Sequence, residues 1–376
     1  MKYIVQISRF IVGIIFIISG FVKAVDPIGF GYKLEEYFAP DVFNIGFLHD
    51  LALPQATFFS IFEIVLGVFL LLGIFKKFTS WSLLILIVFF TFLTFYSAYF
   101  NKVTDCGCFG DAMKLTPWQS FWKDIFLLIL IIILFFGQKY IKPLIENSKI
   151  NYGISAVVLL ICGWISYTGI KHLPIIDFRA YAVGKNIPEG MKSAKELGLE
   201  PPKYEVLYTL KNKNSGETVQ ITDTEYTNDE KWYAEGTPWE FQSDLTESKM
   251  VSSGYEPSIH DFILDCDGED MTEIYLEEPK VVFFITPFSE KVTPEEISQL
   301  NHLFDELTKQ NIKVAALTNG DLENVKFPYC FVDQITLKTI IRNNPGIMVL
   351  EKGTVVAKFH DNPIPSTSEI LSSFSN

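Results

Sequence analysis

The chain has 376 residues, of which 49% are hydrophobic, 34 are Phe and only 20% are charged, a more apolar mix than an ordinary soluble domain carries. Its charge is uneven: residues 1–174 hold 13 Lys/Arg against 10 Asp/Glu, and residues 175–376 hold 18 against 34. Phosphate repulsion excludes nucleic acid as a partner for the acidic half, and the apolar half excludes a wholly soluble protein, so the chain reads as a membrane protein with a soluble domain attached.

Five apolar stretches lie near residues 3–22, 56–75, 78–100, 118–137 and 153–173. Each is close to the ~20 residues a helix needs to cross about 30 Å of hydrocarbon. The first is read as a retained helix, because SGFVKAVDP offers no convincing small-x-small cleavage site and four more spans follow. Lys2 and Arg9 begin the first span, Lys76 and Lys77 sit between spans two and three, and Lys139, Lys142 and Lys149 lie between spans four and five. These positions alternate along the chain, so the positive-inside rule makes their side cytoplasmic. The loops 23–55 and 101–117 then face outward, and an odd number of spans sends the C-terminal half outward too. The expected location is a multi-pass inner-membrane protein in the lipid bilayer, with a cytoplasmic N-terminus and a periplasmic C-terminal domain.

Ionisable groups inside spans are costly and suggest a functional site. Glu63 lies in the second span, and Lys123 and Asp124 in the fourth. The fourth helix starts at Thr116-Pro117-Trp118-Gln119, with a capping threonine, a first-turn proline and a capping-box glutamine. Counted from these starts, Glu63 is roughly 13 Å deep and Lys123 and Asp124 about 10 Å, so the three are expected at one level. Two readings are open: a structural ion pair or snorkelling side chain, or a proton relay to a redox site.

Between spans three and four runs TDCGCFGD, residues 104–111, with Cys106 and Cys108 one glycine apart. Such thiols can close a small, strained disulfide, and strained bonds tend to be labile, regulatory or catalytic. Gly107 supplies the backbone freedom. Lys102, Lys114 and a nearby helix start favour thiolate, while Asp105 and Asp111 oppose it. Thiol–disulfide exchange, a static loop-stapling disulfide and metal binding all fit. Metal fits least, because two thiolates need further ligands and His49 is the one histidine in the outward loops. Cys162 lies inside span five as a core thiol. Cys266 and Cys330 are expected to be free rather than paired, each a candidate resolving thiol for the loop.

The run SGFVKAVDPIGFGYKLEEYF resembles the DoxX family of small membrane bundles, and CGCFGDAMKLTPWQSFWKDIFLLIL resembles its MauE branch. The likeness covers about residues 1–140. It implies a four-helix membrane bundle similar to the vitamin K epoxide reductase type, with relatives tied to methylamine utilisation, disulfide formation in partner proteins or quinone-linked sulfur oxidation. By position, Cys106, Gly107, Cys108, Phe109 and Gly110 match the motif, and Asp26 and Pro27 match the segment after the first helix. Loop 23–55 holds no cysteine, whereas bundles that relay electrons between two pairs carry one there.

After span five, IIDFRAYAVGKNIPEGM is a juxtamembrane linker whose Arg179 and Tyr181 are expected on the membrane surface. Residues 203–227 predict a β-hairpin around Asn-Ser-Gly. From about residue 256 strands and helices alternate. KVVFFITP predicts a buried strand, Thr293 with Glu296 caps a helix, KVAALTN and PYCFVD follow as strands, and PGIMVLEKGTVVAKF closes as a hairpin around Lys-Gly. This order fits a mixed sheet with helices on its faces and resembles a thioredoxin-like fold, with Pro345 where that family keeps a cis-proline. The C-x-x-C expected after KVVFFI is absent, for the sequence reads TPFSEKVT.

The expected division is 1–150 for a DoxX/MauE-like four-helix domain, 151–174 for a fifth span, 175–255 for a linker and hairpin region, and 256–376 for a thioredoxin-like domain lacking C-x-x-C. The expected function is thiol–disulfide chemistry or disulfide maturation of a periplasmic thiol protein, with quinone as the cofactor the resemblance allows. The alternative is a non-catalytic membrane scaffold whose thioredoxin-like domain only binds.

Overall fold

The structure is a computed structural model that describes residues 1–100, 102–103, 107, 109–113, 115–252, 254–359 and 364–374. Five helices are long and apolar enough to cross a membrane: α1 (Lys2–Val25), α4 (Ala52–Leu72), α5 (Lys76–Phe100), α6 (Pro117–Phe136) and α7 (Ser148–Lys171). Two shorter helices, α2 (Pro27–Phe38) and α3 (Gly46–His49), bridge α1 and α4.

The first four spans share one core, with Val12 and Phe16 of α1, Leu66 and Leu70 of α4, Leu83 and Ile87 of α5, and Leu127 and Ile131 of α6 all buried together. Since lipid is as apolar as leucine, close backbone approach rather than hydrophobicity selects these neighbours. A Cβ on Gly67 would sit 2.7 Å from the Gly13 carbonyl oxygen, so α1 and α4 touch backbone to backbone. At the N-terminal end of α1, Arg9 Nε donates to the Leu70 carbonyl at 2.8 Å and Nη2 to the Leu71 carbonyl at 2.7 Å. Both carbonyls lie in the last turn of α4, where the guanidinium adds a donor to each beside the Gly73 N–H that reaches the Leu70 carbonyl at 3.1 Å. The fifth span, α7, packs on the outside of α1 and α4, where Cys162 is buried with Ala24 and Ile64.

Residues 186–262 are a compact unit of their own. It contains α8 (Ile187–Met191), β1 (Lys203–Asn212), β2 (Thr218–Thr222), α9 (Asp223–Asn228), β3 (Trp239–Phe241) and β4 (Glu247–Ser252). The hairpin expected around Asn-Ser-Gly is β1–β2, with Gly216 at φ +73°, and β3 and β4 extend it to four antiparallel strands.

The remaining elements are β5 (Asp265–Cys266), β6 (Glu269–Asp270), α10 (Thr272–Glu277), β7 (Val281–Thr286), α11 (Pro294–Lys309), β8 (Lys313–Thr318), β9 (Tyr329–Phe331), α12 (Gln334–Ile340), β10 (Gly346–Glu351), β11 (Thr354–Phe359) and α13 (Thr367–Ser373). Their strands form one sheet in the order β11-β10-β7-β8-β9-β5-β6. β7, β8 and β9 run parallel, β10 is the antiparallel neighbour of β7, and β11 pairs antiparallel with β10 at the sheet edge. β7 is fully buried because both its faces are covered. Val282 and Phe284 pack with Leu300 and Leu307 of α11 and Ile370 of α13, while Phe283 on the opposite face packs at a tilt against Tyr275 of α10. Thr293 and Glu296 make the expected capping box, Lys352 and Gly353 both have positive φ in the β10–β11 turn, and Asn344–Pro345 is cis. This is the thioredoxin-like arrangement, mixed α/β, following a membrane bundle.

Two expectations are corrected. Cys266 and Cys330 are not two free thiols but one disulfide. β5 pairs with β9 at Asp265 and Phe331, so the neighbouring cysteines oppose each other across the two strands, and neither is a free resolving thiol here. Arg179 and Tyr181 do not lie on a surface: they are 3% and 4% exposed. Arg179 holds Asp177 through two bonds, Nε to Oδ1 at 2.6 Å and Nη2 to Oδ2 at 2.8 Å, and Lys358 of β11 reaches the same carboxylate at 3.0 Å.

Candidate functional site

Cys106 and Cys108 lie outside the described residues, but Gly107, Phe109, Gly110 and Asp111 locate the motif. Gly107 has φ +66° and Gly110 φ +48°, a region where a side chain is strained. A Cβ on Gly107 would meet Lys33 Cγ at 3.1 Å and Phe30 Cδ2 at 3.7 Å. One on Gly110 would meet Val22 Cγ1 at 3.4 Å. Gly107 therefore rests against α2, and Gly110 against the last turns of α1.

Beneath it are two charged pairs. Lys23 Nζ donates to Glu63 Oε1 at 2.5 Å, and Ser19 Oγ donates to Oε2 at 2.9 Å. Lys23 and Glu63 are 3% and 2% exposed. The ammonium lies 5.0 Å from the Phe30 ring centroid and 4.8 Å from that of Phe90, both within cation–π range. Phe30 is thus the ring between the Lys23–Glu63 pair and Gly107. The second pair is Lys123 with Asp124, Nζ to Oδ1 at 2.9 Å, and Thr94 Oγ1 donates to Asp124 Oδ2 at 3.1 Å. Lys123 lies 5.1 Å from the Phe109 ring. Glu63, Lys123 and Asp124 do not form one cluster: Glu63 takes Lys23, which sequence reading passed over. The signal was available, since a carboxylate in a span calls for a cation, and Lys23 is the lysine in the last turn of a neighbouring span.

Asp26 and Pro27 have a structural role that explains their position. Asp26 ends α1 and caps α2, accepting from Gly29 N at 3.0 Å, with Pro27 in the first turn. The other Asp26 partner comes from the C-terminal domain. Arg342, between α12 and β10, donates from Nη2 to Asp26 Oδ2 at 2.7 Å and from Nε to the same oxygen at 2.9 Å. Nη2 also donates to Asp111 Oδ2 at 2.9 Å, and Nη1 to the Lys338 carbonyl at 2.7 Å. Burial opposes the charge on Asp26, but the Arg342 and Arg179 guanidinium groups and the bonds from Arg342 and Gly29 outweigh it and hold its pKa below the usual carboxylate range. Burial likewise opposes the charge on Arg342, and Asp26 and Asp111 more than compensate, raising its pKa. Tyr32, one turn along α2, is pushed up to about 12, chiefly by burial.

Where a thioredoxin-like domain would carry C-x-x-C, this chain has Thr286-Pro287-Phe288-Ser289. Asn344 occupies both backbone groups of Phe288, accepting from N at 2.9 Å and donating to O at 3.0 Å. Lys338 lies 4.9 Å from the Phe288 ring and 4.8 Å from the Tyr32 ring, and those rings are 6.4 Å apart. In open α/β sheets the strand C-termini are the usual ligand face. Here the C-terminal end of β7 meets α2 of the same chain.

Residues 1–137 match the family described as methylamine utilisation protein MauE. Protein TlpB of Flavobacterium psychrophilum is 30% identical over 148 residues, 36% of this chain and only 37% of that protein. A thioredoxin-like protein from Aeropyrum pernix is similar at 16% identity and TM-score 0.23, covering 30% of this chain and 87% of its own. A mitochondrial 2-Cys peroxiredoxin from Plasmodium falciparum is similar at 14% identity and TM-score 0.20, covering 46% of this chain and 89% of its own. Residues 1–137 thus match the MauE family, in a chain with five helices apolar enough to span a membrane and a mixed α/β C-terminal region of thioredoxin-like topology.

Proposed function

We propose that this protein carries out thiol–disulfide exchange at Cys106 and Cys108 on the outer side of the inner membrane, forming disulfides in periplasmic thiol proteins. The observation that carries this reading is the placement of two ion pairs against the motif: the buried Lys23–Glu63 pair behind Phe30, and the half-buried Lys123–Asp124 pair beside Phe109. A client dithiol attacking a Cys106–Cys108 disulfide leaves the client oxidised and the loop with two thiols, so two electrons and two protons move to the loop. The proton movement needs titratable groups within reach, and Glu63 and Asp124 are the buried carboxylates on that side. A quinone would supply an acceptor for two electrons and two protons, and these same carboxylates and their lysines are the groups with the proton chemistry to serve it. The Lys/Arg bias of the loops supports the orientation. The test is the reduction midpoint of the Cys106–Cys108 pair in the purified full chain, read by thiol alkylation and mass shift. A reversible midpoint well above about −300 mV is expected; a bond that resists reduction, or thiols that never pair, would sink the proposal.

A scaffold function is the second reading, favoured by Asn344 and Tyr32 occupying the end of β7 and by the missing cysteines there. Trapping a mixed disulfide between Cys106 or Cys108 and another envelope protein would exclude it.

A further inference from the structure

Arg342 belongs to the C-terminal domain, yet among the described residues its carboxylate partners, Asp26 and Asp111, both lie in the bundle. We propose that Arg342 is a positioning residue for the Cys106/Cys108 loop, and that the thioredoxin-like domain works in cis, by carrying this guanidinium to the outer end of the bundle rather than by contributing cysteines of its own. The inference rests on the exchange function proposed above and assigns the regulation of that same site.

Three segments meet at the one guanidinium. Asp26 fixes the joint between α1 and α2. Asp111 opens from the 3-10 turn Gly110–Ala112, directly after CGCF. The Lys338 carbonyl belongs to α12. The Arg342 side chain is only 9% exposed, against 20% for Asp26 and 29% for Asp111. The planar fork serves both carboxylates at once, which a single ammonium cannot do with the same geometry. The local sequence is fitted to it as well: a Cβ on Gly29 would lie 2.5 Å from Arg342 Nη2 and 2.5 Å from Asp26 Oδ2, and the Tyr32 ring lies 5.8 Å from the guanidinium carbon. Without the arginine, Asp26 and Asp111 would be left as two like charges around one gap, and their repulsion would push the Gly110–Ala112 turn away from Asp26.

The two arms separate positioning from simple domain attachment. Asp111→Asn weakens the arm to the loop and leaves the Asp26 arm in place, Arg342→Lys keeps charge without the fork, and Arg342→Gln removes both. The full chain in detergent is fully reduced, and the rate of iodoacetamide alkylation is followed by mass spectrometry at Cys106 and Cys108, with buried Cys162 as internal control. We expect Asp111→Asn, Arg342→Lys and Arg342→Gln each to change the loop rates by about threefold or more, the range of a partly exposed charged hydrogen bond, with Cys162 unchanged. Loop rates equal to wild type in Asp111→Asn and Arg342→Gln would overturn the proposal, and so would equal changes at Cys162 and the loop. Alkylation needs no turnover, so an inert wild-type pair would defeat the exchange reading and leave this test standing. Asp111→Asn touches a partly exposed side chain, which keeps the proposal falsifiable should Arg342→Gln fail to fold.

Discussion

The Lys23–Glu63 pair makes a sharp prediction, because it is dry and short. At 2.5 Å between Nζ and Oε1, an effective dielectric near 20 gives a gross attraction of roughly 7 kcal/mol. Desolvation of both ions takes back most of this, so the net value of the pair is small while the cost of leaving one ion alone is large. Glu63→Gln strands the Lys23 ammonium between Phe30 and Phe90, and Lys23→Met leaves the carboxylate with Ser19 as its side-chain donor among the described residues. Each single change is therefore expected to cost about 3–5 kcal/mol. The double change removes both charges and is expected to return to within about 1 kcal/mol of wild type. The assay is a double-mutant cycle on the purified bundle in mixed detergent, titrating denaturing detergent and reading Trp fluorescence. Single changes costing under about 1 kcal/mol, or costs that simply add within about 0.5 kcal/mol, would refute the argument, since independent sites add and paired ones do not.

Two other measurements probe the C-terminal domain. Cys266 and Cys330 close a loop with a separation of 64 residues, for which chain-entropy arguments give about 4 kcal/mol; Cys266→Ser in the full chain should lower the denaturation midpoint accordingly, and an unchanged midpoint under oxidising conditions would refute the pairing. The Asp177–Arg179–Lys358 cluster predicts stability that rises with pH in two separate windows. Asp177 is opposed by burial but held at about 2 by Arg179 and Lys358, so its contribution, at most about 2.5 kcal/mol, is present above pH 4 and is lost as pH falls through 2. Lys358 is pushed down to about 7 by burial and by Arg179, against the pull of Asp177. Between about pH 7 and 10 the unfolded chain then holds a proton the folded chain lacks, so stability should rise across pH 7–9 and flatten in Lys358→Met; a flat wild-type profile there would refute the assignment.

What could be read in the sequence was local. The five spans follow from unbroken apolar runs, the starts of α6 and α11 from their capping boxes, and the β10–β11 turn from Lys352-Gly353. The carboxylates in the spans were visible because hydrocarbon makes any charge conspicuous. Their partners were not, because an all-apolar helix has no polar face to say which neighbour it meets. Lys23 and Glu63 are 40 residues apart, and only the glycine-mediated contact of α1 with α4 brings them together. The Cys266–Cys330 pairing depends on β5 joining the far edge of a sheet assembled mostly from later strands. Arg342 and Asp26 are 316 residues apart, and Asp26-Pro27 was legible only as a motif until its capping role and its second partner were seen together.

The notch at Gly29 carries a consequence for how such chains are assembled in evolution. A bundle that stands alone has no guanidinium to admit, so nothing in the attachment would forbid alanine or serine at that position. In a bundle fused to this kind of domain, a methyl group there would lie 2.5 Å from both Arg342 Nη2 and Asp26 Oδ2, so the clamp would have to shift to admit it. The missing side chain at Gly29 thus leaves room for the tethered domain's arginine to settle beside the bundle's own Asp26.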